Sequence, residues 1–225
     1  YEIAPNIFWE LGHEVISINN KPNGKNINQN CGAVNVNQLS KKVVEEKADI
    51  GFAFDGDGDR LIIVDEKGQE VDGDKIIALL ATHFNKTQKI KSKFPVVTTV
   101  MSNLGLEKYL LNNLKIKLKR SAVGDINVIQ QMSRFDSALG GEQSGHIILS
   151  DYSKTGDGIL AALKVTEIII KANKKSSVIF NLYKSFPQIK INIPYKKMTS
   201  KILKNIKTLN KKKFKEKYLR CLIRK

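Results

Sequence analysis

The sequence predicts an α/β protein built as two successive α/β domains with mainly parallel mixed sheets, plus the start of a further domain. Three observations carry this expectation. Short apolar strands alternate with helical segments, the pattern of layered α/β units. The alternation is interrupted by a polar, lysine-rich stretch from Asn85 to Lys93 and then restarts. It ends near Ile193, where a basic tail begins. With 225 residues the chain can bury a core without staples. The expected division is 1–91, 92–184 and 185–225.

The first unit opens on a helix from Ala4 to Leu11, with Pro5 in its first turn and Gly12 as the stop. Glu14–Ile18 reads as a strand, followed by a turn region rich in Asn, Lys and Gly from Asn19 to Asn30. Val36–Lys47 is helical, and Asp49–Phe54 is a strand. Leu61–Val64 and Glu70–Val71 form a hairpin, and Asp74 caps a helix running through Phe84. In the second unit the strands are Val96–Met101, Ile116–Lys119 and His146–Leu149. The helices are Leu104–Asn113, Asp125–Ser133, Asp157–Asn173 and Ser177–Tyr183, with a last strand at Gln188–Ile193. Asp125 and Asp157 read as caps, and a phosphate role stays open for Asp157 at its helix start. Phe8 and Trp9 read as core; His13 and His83 have no clustered partners.

Composition excludes several classes. The apolar runs, such as Ile168–Ile170, are far too short to span a bilayer, and no signal peptide is visible. Cys31 and Cys221 are far apart and lack a CxxC partner, which fits a reducing cytoplasm. The net charge of +16 invites a nucleic-acid reading, but residues 190–225 carry +13 of it. A charge confined to one end reads as a lysine-rich tail, not a basic footprint on a folded face.

The densest chemistry lies in Ile50–Arg60, where an apolar strand runs into Asp55-Gly-Asp57-Gly-Asp59 and then Arg60. Two like charges about 4 Å apart near a surface cost about 4 kcal/mol, which a hard divalent cation with oxygen ligands relieves. Side chains at i, i+2 and i+4 of a regular strand stand roughly 7 Å apart, so the glycines are needed for the backbone to curl and the carboxylates to meet. The bland alternative is a solvated acidic turn. An EF-hand also spaces acids this way, but it requires Gly at its sixth position and flanking helices. Here Arg60 stands at that position and strands flank the loop.

Gly140-Gly-Glu-Gln-Ser-Gly-His146 is the second concentration. If extended, it presents Glu142, Ser144 and His146 on one side, a set suited to a ligand with several hydroxyls. The alternative is a hairpin turn with glycines for geometry. Ser144 lacks the strand–turn–helix setting of a hydrolase nucleophile.

Together the two loops resemble the α-D-phosphohexomutases, with the bacterial phosphoglucosamine mutase branch as the nearest look-alike. The matching segments include Asn26-Ile-Asn28 with Cys31-Gly32, Ala53–Arg60, Val71–Asp74, Val100–Glu107, Val123–Asp125, Gly140–His146 and Thr155–Gly158. The resemblance implies a four-domain enzyme that moves a phosphoryl group between the 6- and 1-positions of a hexose phosphate. It does so through a phosphoserine of the first domain and a bisphosphorylated sugar. It further implies Mg2+ held by Asp55, Asp57 and Asp59, a catalytic Arg60 supporting phosphoryl charge, and Glu142 and Ser144 on sugar hydroxyls. His146 would steer phosphate or protons. The implied partners are the remaining domains of the same enzyme, with no nucleic acid and no membrane, and the chain by itself is expected to be inactive. Two departures stand out: Ile126 where the family carries arginine, and Ala33-Val34-Asn35 where it carries a Ser-Thr-His type run. The rival readings are a phosphomannomutase or phosphoglucomutase, and an inactive metal- or sugar-phosphate-binding fragment.

Overall fold

The computed structural model describes residues 1–87 and 95–189, together with Lys204 and Thr208. The expected boundary at 91/92, most of the last strand and nearly all of the basic tail, with Cys221, lie outside the described residues. Contacts divide the chain into a unit Tyr1–Ser185 and a unit Phe186–Lys225. The first unit holds both sheets and the helices that cover them.

Helix α1 (Ile3–Glu10) ends where Gly12 takes a φ of +84°. Phe8 is buried and stacks on Phe52 with ring centroids 5.2 Å apart. Trp9, expected in the core, is instead 71% exposed. One residue turns a helix by about 100°, so the face that buries Phe8 carries its neighbour outward. The expected strand at Glu14–Ile18 does not form: its backbone has no ladder partner among the described residues, although Val15 packs against the core.

Helix α2 (Asn37–Glu45) leads into a sheet of β1 (Ile50–Phe54), β2 (Leu61–Asp65) and β3 (Glu70–Val71), antiparallel throughout. Asp65 Oδ1 accepts from the amides of Lys67 and Gln69 and so shapes the β2–β3 turn. Helix α3 (Gly73–Lys86) is capped by Asp72, whose side chain accepts from Lys75 N at 3.1 Å. Asp74, the expected cap, lies inside the first turn and is fully buried.

The second sheet has the order β5-β4-β6-β7, formed by β4 (Val96–Thr99), β5 (Leu118–Ser121), β6 (Leu139–Gly141) and β7 (Ile147–Leu149). The β4 pairings to β5 and β6 are parallel, while β6–β7 is an antiparallel hairpin. The two sheets together are therefore mixed, and the parallel strands lie in the second. Helices α4 (Leu104–Leu114) and α5 (Asp125–Phe135) supply the crossovers that parallel strands require. Asn103 caps α4 and Asp157 caps α6 (Gly158–Ala172), accepting from Leu160 N at 2.9 Å. Asp125, also expected as a cap, makes no capping bond; Gly124 occupies that position.

Both sheets share one core. Leu61, Ile63 and Val71 of the first join Val96, Leu139 and Ile147 of the second, with Ile76, Ile77 and Leu80 of α3 and Ala161 and Val165 of α6 among them. A polar lock reinforces this on the flank. Glu66 accepts from Ser177 N at 2.8 Å and from the hydroxyls of Ser176 and Ser177 at the start of α7 (Ser176–Ile179). Partial burial works to raise the Glu66 carboxyl, but these bonds outweigh it and hold it down to about 2.

Candidate metal centre

Strand β1 ends at Phe54, and the chain then turns with Gly58 N donating to Asp55 O. Gly58 sits at φ +74° with open space around it, so the curl uses the left-handed backbone glycine allows. The result is that one ligand atom each of Asp55, Asp57 and Asp59 lies within 4.8 Å of the others. Ligands on opposite sides of a Mg2+ ion at 2.0–2.1 Å stand about 4 Å apart, so the triad is already close to that span. Asp55 and Asp59 are half-buried and Asp57 is exposed.

Burial first, then the neighbouring Asp59 and Asp57, push the Asp55 carboxyl upward, with the Arg60 amide pulling the other way. Arg60 N donates to Asp55 Oδ1 at 3.1 Å, and its Nε lies 3.4 Å from Asp55 Oδ2 and 3.8 Å from Asp59 Oδ1. That Nε is buried and has no hydrogen-bond partner among the described residues. A concentrated negative site with one imperfectly paired cation leaves room for a second positive charge, and all-oxygen donors suit a hard one.

The second loop comes to the first through backbone. Leu61 N donates to Gly145 O at 2.9 Å, and Arg60 bridges His146 as an isolated antiparallel pair. Gly158 N, at the start of α6, donates to Gly58 O at 3.0 Å. Glu142–Gly145 is not extended, however. Gly145 N donates to Glu142 O and Glu142 N to His146 O, closing the tight turn of the β6–β7 hairpin. Alternation along a strand does not apply in a turn, so the three side chains part company. Glu142 is half-buried, its Oε1 accepting from Gly124 N at 3.2 Å; Ser144 is exposed; His146 is 2% exposed. His146 Nδ1 lies 2.9 Å from Asp59 Oδ2.

The structure thus brings together Asp55, Asp57, Asp59, Arg60 and His146, and leaves Glu142 and Ser144 on the turn beside them. Sequence reasoning matched Thr155–Gly158 as a segment and gave Asp157 a capping role with a phosphate role open, but did not foresee that Gly156 packs on the His146 ring. The signal was present in the two glycines flanking the cap, since small residues mark close approach.

Comparison with known proteins places this arrangement among relatives. The family model for phosphoglucomutase/phosphomannomutase alpha/beta/alpha domain II matches residues 1–68, and that for domain III matches residues 72–186. The chain is 53% identical over 193 residues to a phosphoglucosamine mutase of Nautilia profundicola, covering 86% of this chain and 43% of that protein. It is 49% identical over 227 residues to that of Aliarcobacter butzleri, covering 100% of this chain and 50% of the relative. The chain therefore spans about half the length of the curated relatives it matches. Among solved structures, a phosphoglucomutase/phosphomannomutase family protein from Burkholderia thailandensis aligns with a TM-score of 0.69 at 24% identity, covering 80% of this chain and 39% of that one. An Aspergillus fumigatus N-acetylphosphoglucosamine mutase, solved with GlcNAc-6P and magnesium, aligns at 0.56 and 21% identity, covering 71% and 41%. At these identities the structures speak for the fold.

Proposed function

The chain belongs to the phosphoglucomutase/phosphomannomutase family, and from that premise we propose that it supplies the metal-binding and sugar-facing domains of a cytoplasmic phosphoglucosamine mutase. The complete protein interconverts glucosamine 6-phosphate and glucosamine 1-phosphate through a phosphorylated serine of another domain and a bisphosphorylated sugar. The observation that carries this reading is the acidic triad gathered against the Glu142–His146 turn. The 53% identity to a phosphoglucosamine mutase supports the choice of amino sugar.

The three carboxylates are a hard, all-oxygen donor set and fit Mg2+. When bound, the ion supplies positive charge to the phosphoryl group in transfer, where such transition states need it. Asp55, Asp57 and Asp59 hold it. Arg60, with its side chain 41% exposed beside the triad, adds a fixed cation for the same phosphoryl oxygens. Glu142 and Ser144 take sugar hydroxyls from the turn, the carboxylate accepting and the hydroxyl accepting or donating.

The test is a rate comparison on the complete protein, primed with the hexose bisphosphate. Glucosamine 6-phosphate is expected to turn over fastest; equal or faster turnover of mannose or glucose phosphates assigns a sibling specificity instead. The 225-residue chain alone is expected to bind Mg2+ and to show no mutase turnover, because the serine belongs to a domain other than the two matched here. Robust turnover by the chain alone overturns that division of labour.

A further inference from the structure

The two sheets follow one plan, except that the first has no counterpart of the central strand β4 among the described residues. In the second, β4 is followed by α4, by β5 at the sheet edge, by α5 and by the antiparallel β6–β7 hairpin. In the first, α1, Glu14–Ile18, α2 and the antiparallel β1–β2 pair repeat that series from its second member on. Spacing agrees as well. Three residues (11–13) separate α1 from Glu14, and three (115–117) separate α4 from β5. Each hairpin also opens on a strand whose second residue is a glycine pressed by the helix before it. A β-carbon at Gly51 would lie 2.6 Å from Val43 of α2, and one at Gly140 2.3 Å from Met132 of α5.

In the second sheet β4 pairs in parallel with β5 on one side and with β6 on the other. The corresponding segments of the first, Glu14–Ile18 and β1, both stand open. Glu14–Ile18 forms no backbone hydrogen bond among the described residues, and β1 pairs there with β2 alone. Both are nevertheless held against the shared core, through Val15 on one segment and Ile50, Phe52 and Phe54 on the other. Phe8 of α1 stacks on Phe52 and fixes the helix to β1. A helix that returns the chain to an extended segment is the later part of a βαβ unit, whose first strand runs parallel to that segment.

We infer that the first sheet is a strand acceptor: an added strand lies between Glu14–Ile18 and β1, parallel to both, and the segment of the complete protein directly before Tyr1 supplies it. The connection from β4 to α4 takes only four residues, Val100–Asn103, and Tyr1 and Glu2 lead straight into α1. A segment joined there reaches the open edge without a long loop. Such a tether gives an effective concentration of the order of mM, which favours it over a second copy of the chain. Relatives have the length to provide it, since this chain covers 43% of one and 50% of another. Its chemistry follows from β4, which is buried at all four positions. A strand covered on both faces is a near-continuous apolar, β-branched run, here matched to the five residues of β1. Main-chain bonds to both neighbours then hold it, as in other cases of strand addition.

The test is amide hydrogen exchange, read residue by residue, in the 225-residue chain and in the complete protein. In the complete protein the amides of Glu14–Ile18, and those of β1 not bonded to β2, are expected to exchange at least about 100-fold more slowly than in the chain alone. The segment before Tyr1 is expected to be slow with them. A proline in the middle of that segment, which donates no ladder bond, should return Glu14–Ile18 to fast exchange and leave β4–β7 unchanged. Equal rates at Glu14–Ile18 in the two proteins overturn the inference, as does protection that survives the proline. Protection of the 225-residue chain only where it dimerises makes a second copy the occupant and overturns the assignment to the preceding segment. Should the shorter chain or the proline variant fail to fold, the complete protein decides alone: fast exchange in Glu14–Ile18 or in the segment before Tyr1 overturns the inference.

Discussion

Asp74 carries a buried carboxylate with one strong bond, its Oδ2 accepting from Asn103 N at 2.6 Å. Burial pushes its carboxyl up to about 6 from 3.8, with the charge of Asp72 adding and the Asn103 amide, Ser102 hydroxyl and Arg120 opposing. The folded state thus holds a proton more tightly than the unfolded chain. Relative to a neutral side chain, its contribution is intact below pH 3.8 and is lost as pH rises through 6. A shift of this size is worth about 3 kcal/mol. Asp74→Asn keeps an oxygen for Asn103 N, so its melting temperature should match wild type near pH 4 and exceed it by pH 7–8. A difference that does not change with pH refutes the assignment. Trp9 offers a simpler check, because it is the chain's only tryptophan and 71% exposed. Emission from the 225-residue chain should match that of free tryptophan and quench fully with acrylamide; a blue-shifted, protected signal places the ring in a core after all.

Helix starts show how closely similar signals diverge at the scale of an element. Asp72, Asp125 and Asp157 each sit at or beside a helix N-terminus, yet only Asp72 and Asp157 accept a backbone N–H. Asp157→Ala should cost about 1 kcal/mol. Asp125→Ala removes only a favourable charge near the helix dipole, about 0.3–1 kcal/mol at low salt and less as salt rises. Urea denaturation of both variants at low and high salt separates the two, and equal salt sensitivity counts against the distinction. Expectation and structure part in the same way at the β6–β7 hairpin. Glycines at 140, 141 and 145 were compatible with an extended ligand loop or a turn; the backbone bonds of Glu142 to Gly145 and His146 select the turn.

At the scale of the whole molecule, the two sheets meet along a seam of glycines. A β-carbon at Gly73 would stand 2.1 Å from Glu142 O, one at Gly145 2.2 Å from Leu61 O, and one at Gly158 2.6 Å from Arg60 O. Each clash is with backbone, which cannot rotate away. Gly73→Ala should therefore destabilise the chain by about 1–3 kcal/mol, in the range of overpacked cores. It should also weaken Mg2+ binding, because the same seam seats the acidic loop. Gly12→Ala, with open space around it, bears only the left-handed strain of about 1–2 kcal/mol and should leave metal affinity unchanged. Thermal melts and metal titrations of the two variants, compared side by side, test whether the seam couples fold to site.

Much of this protein was legible in its residue order. Period and punctuation marked most helices and strands, because amphipathic faces and glycine stops are local properties. The triad was legible for the same reason: Asp55, Asp57 and Asp59 are neighbours in the chain, and their crowding states a need that an intervening glycine can meet. Folding alone decided whatever involves partners distant in sequence. Glu14–Ile18 found no strand beside it, Trp9 fell on the outer face of its helix, and Asp74 was drawn into the core by Asn103, 29 positions away. His146 reaches Asp59 across 87 positions. Hydrogen bonds and packing between such residues exist only once the shared core has set the two sheets against each other.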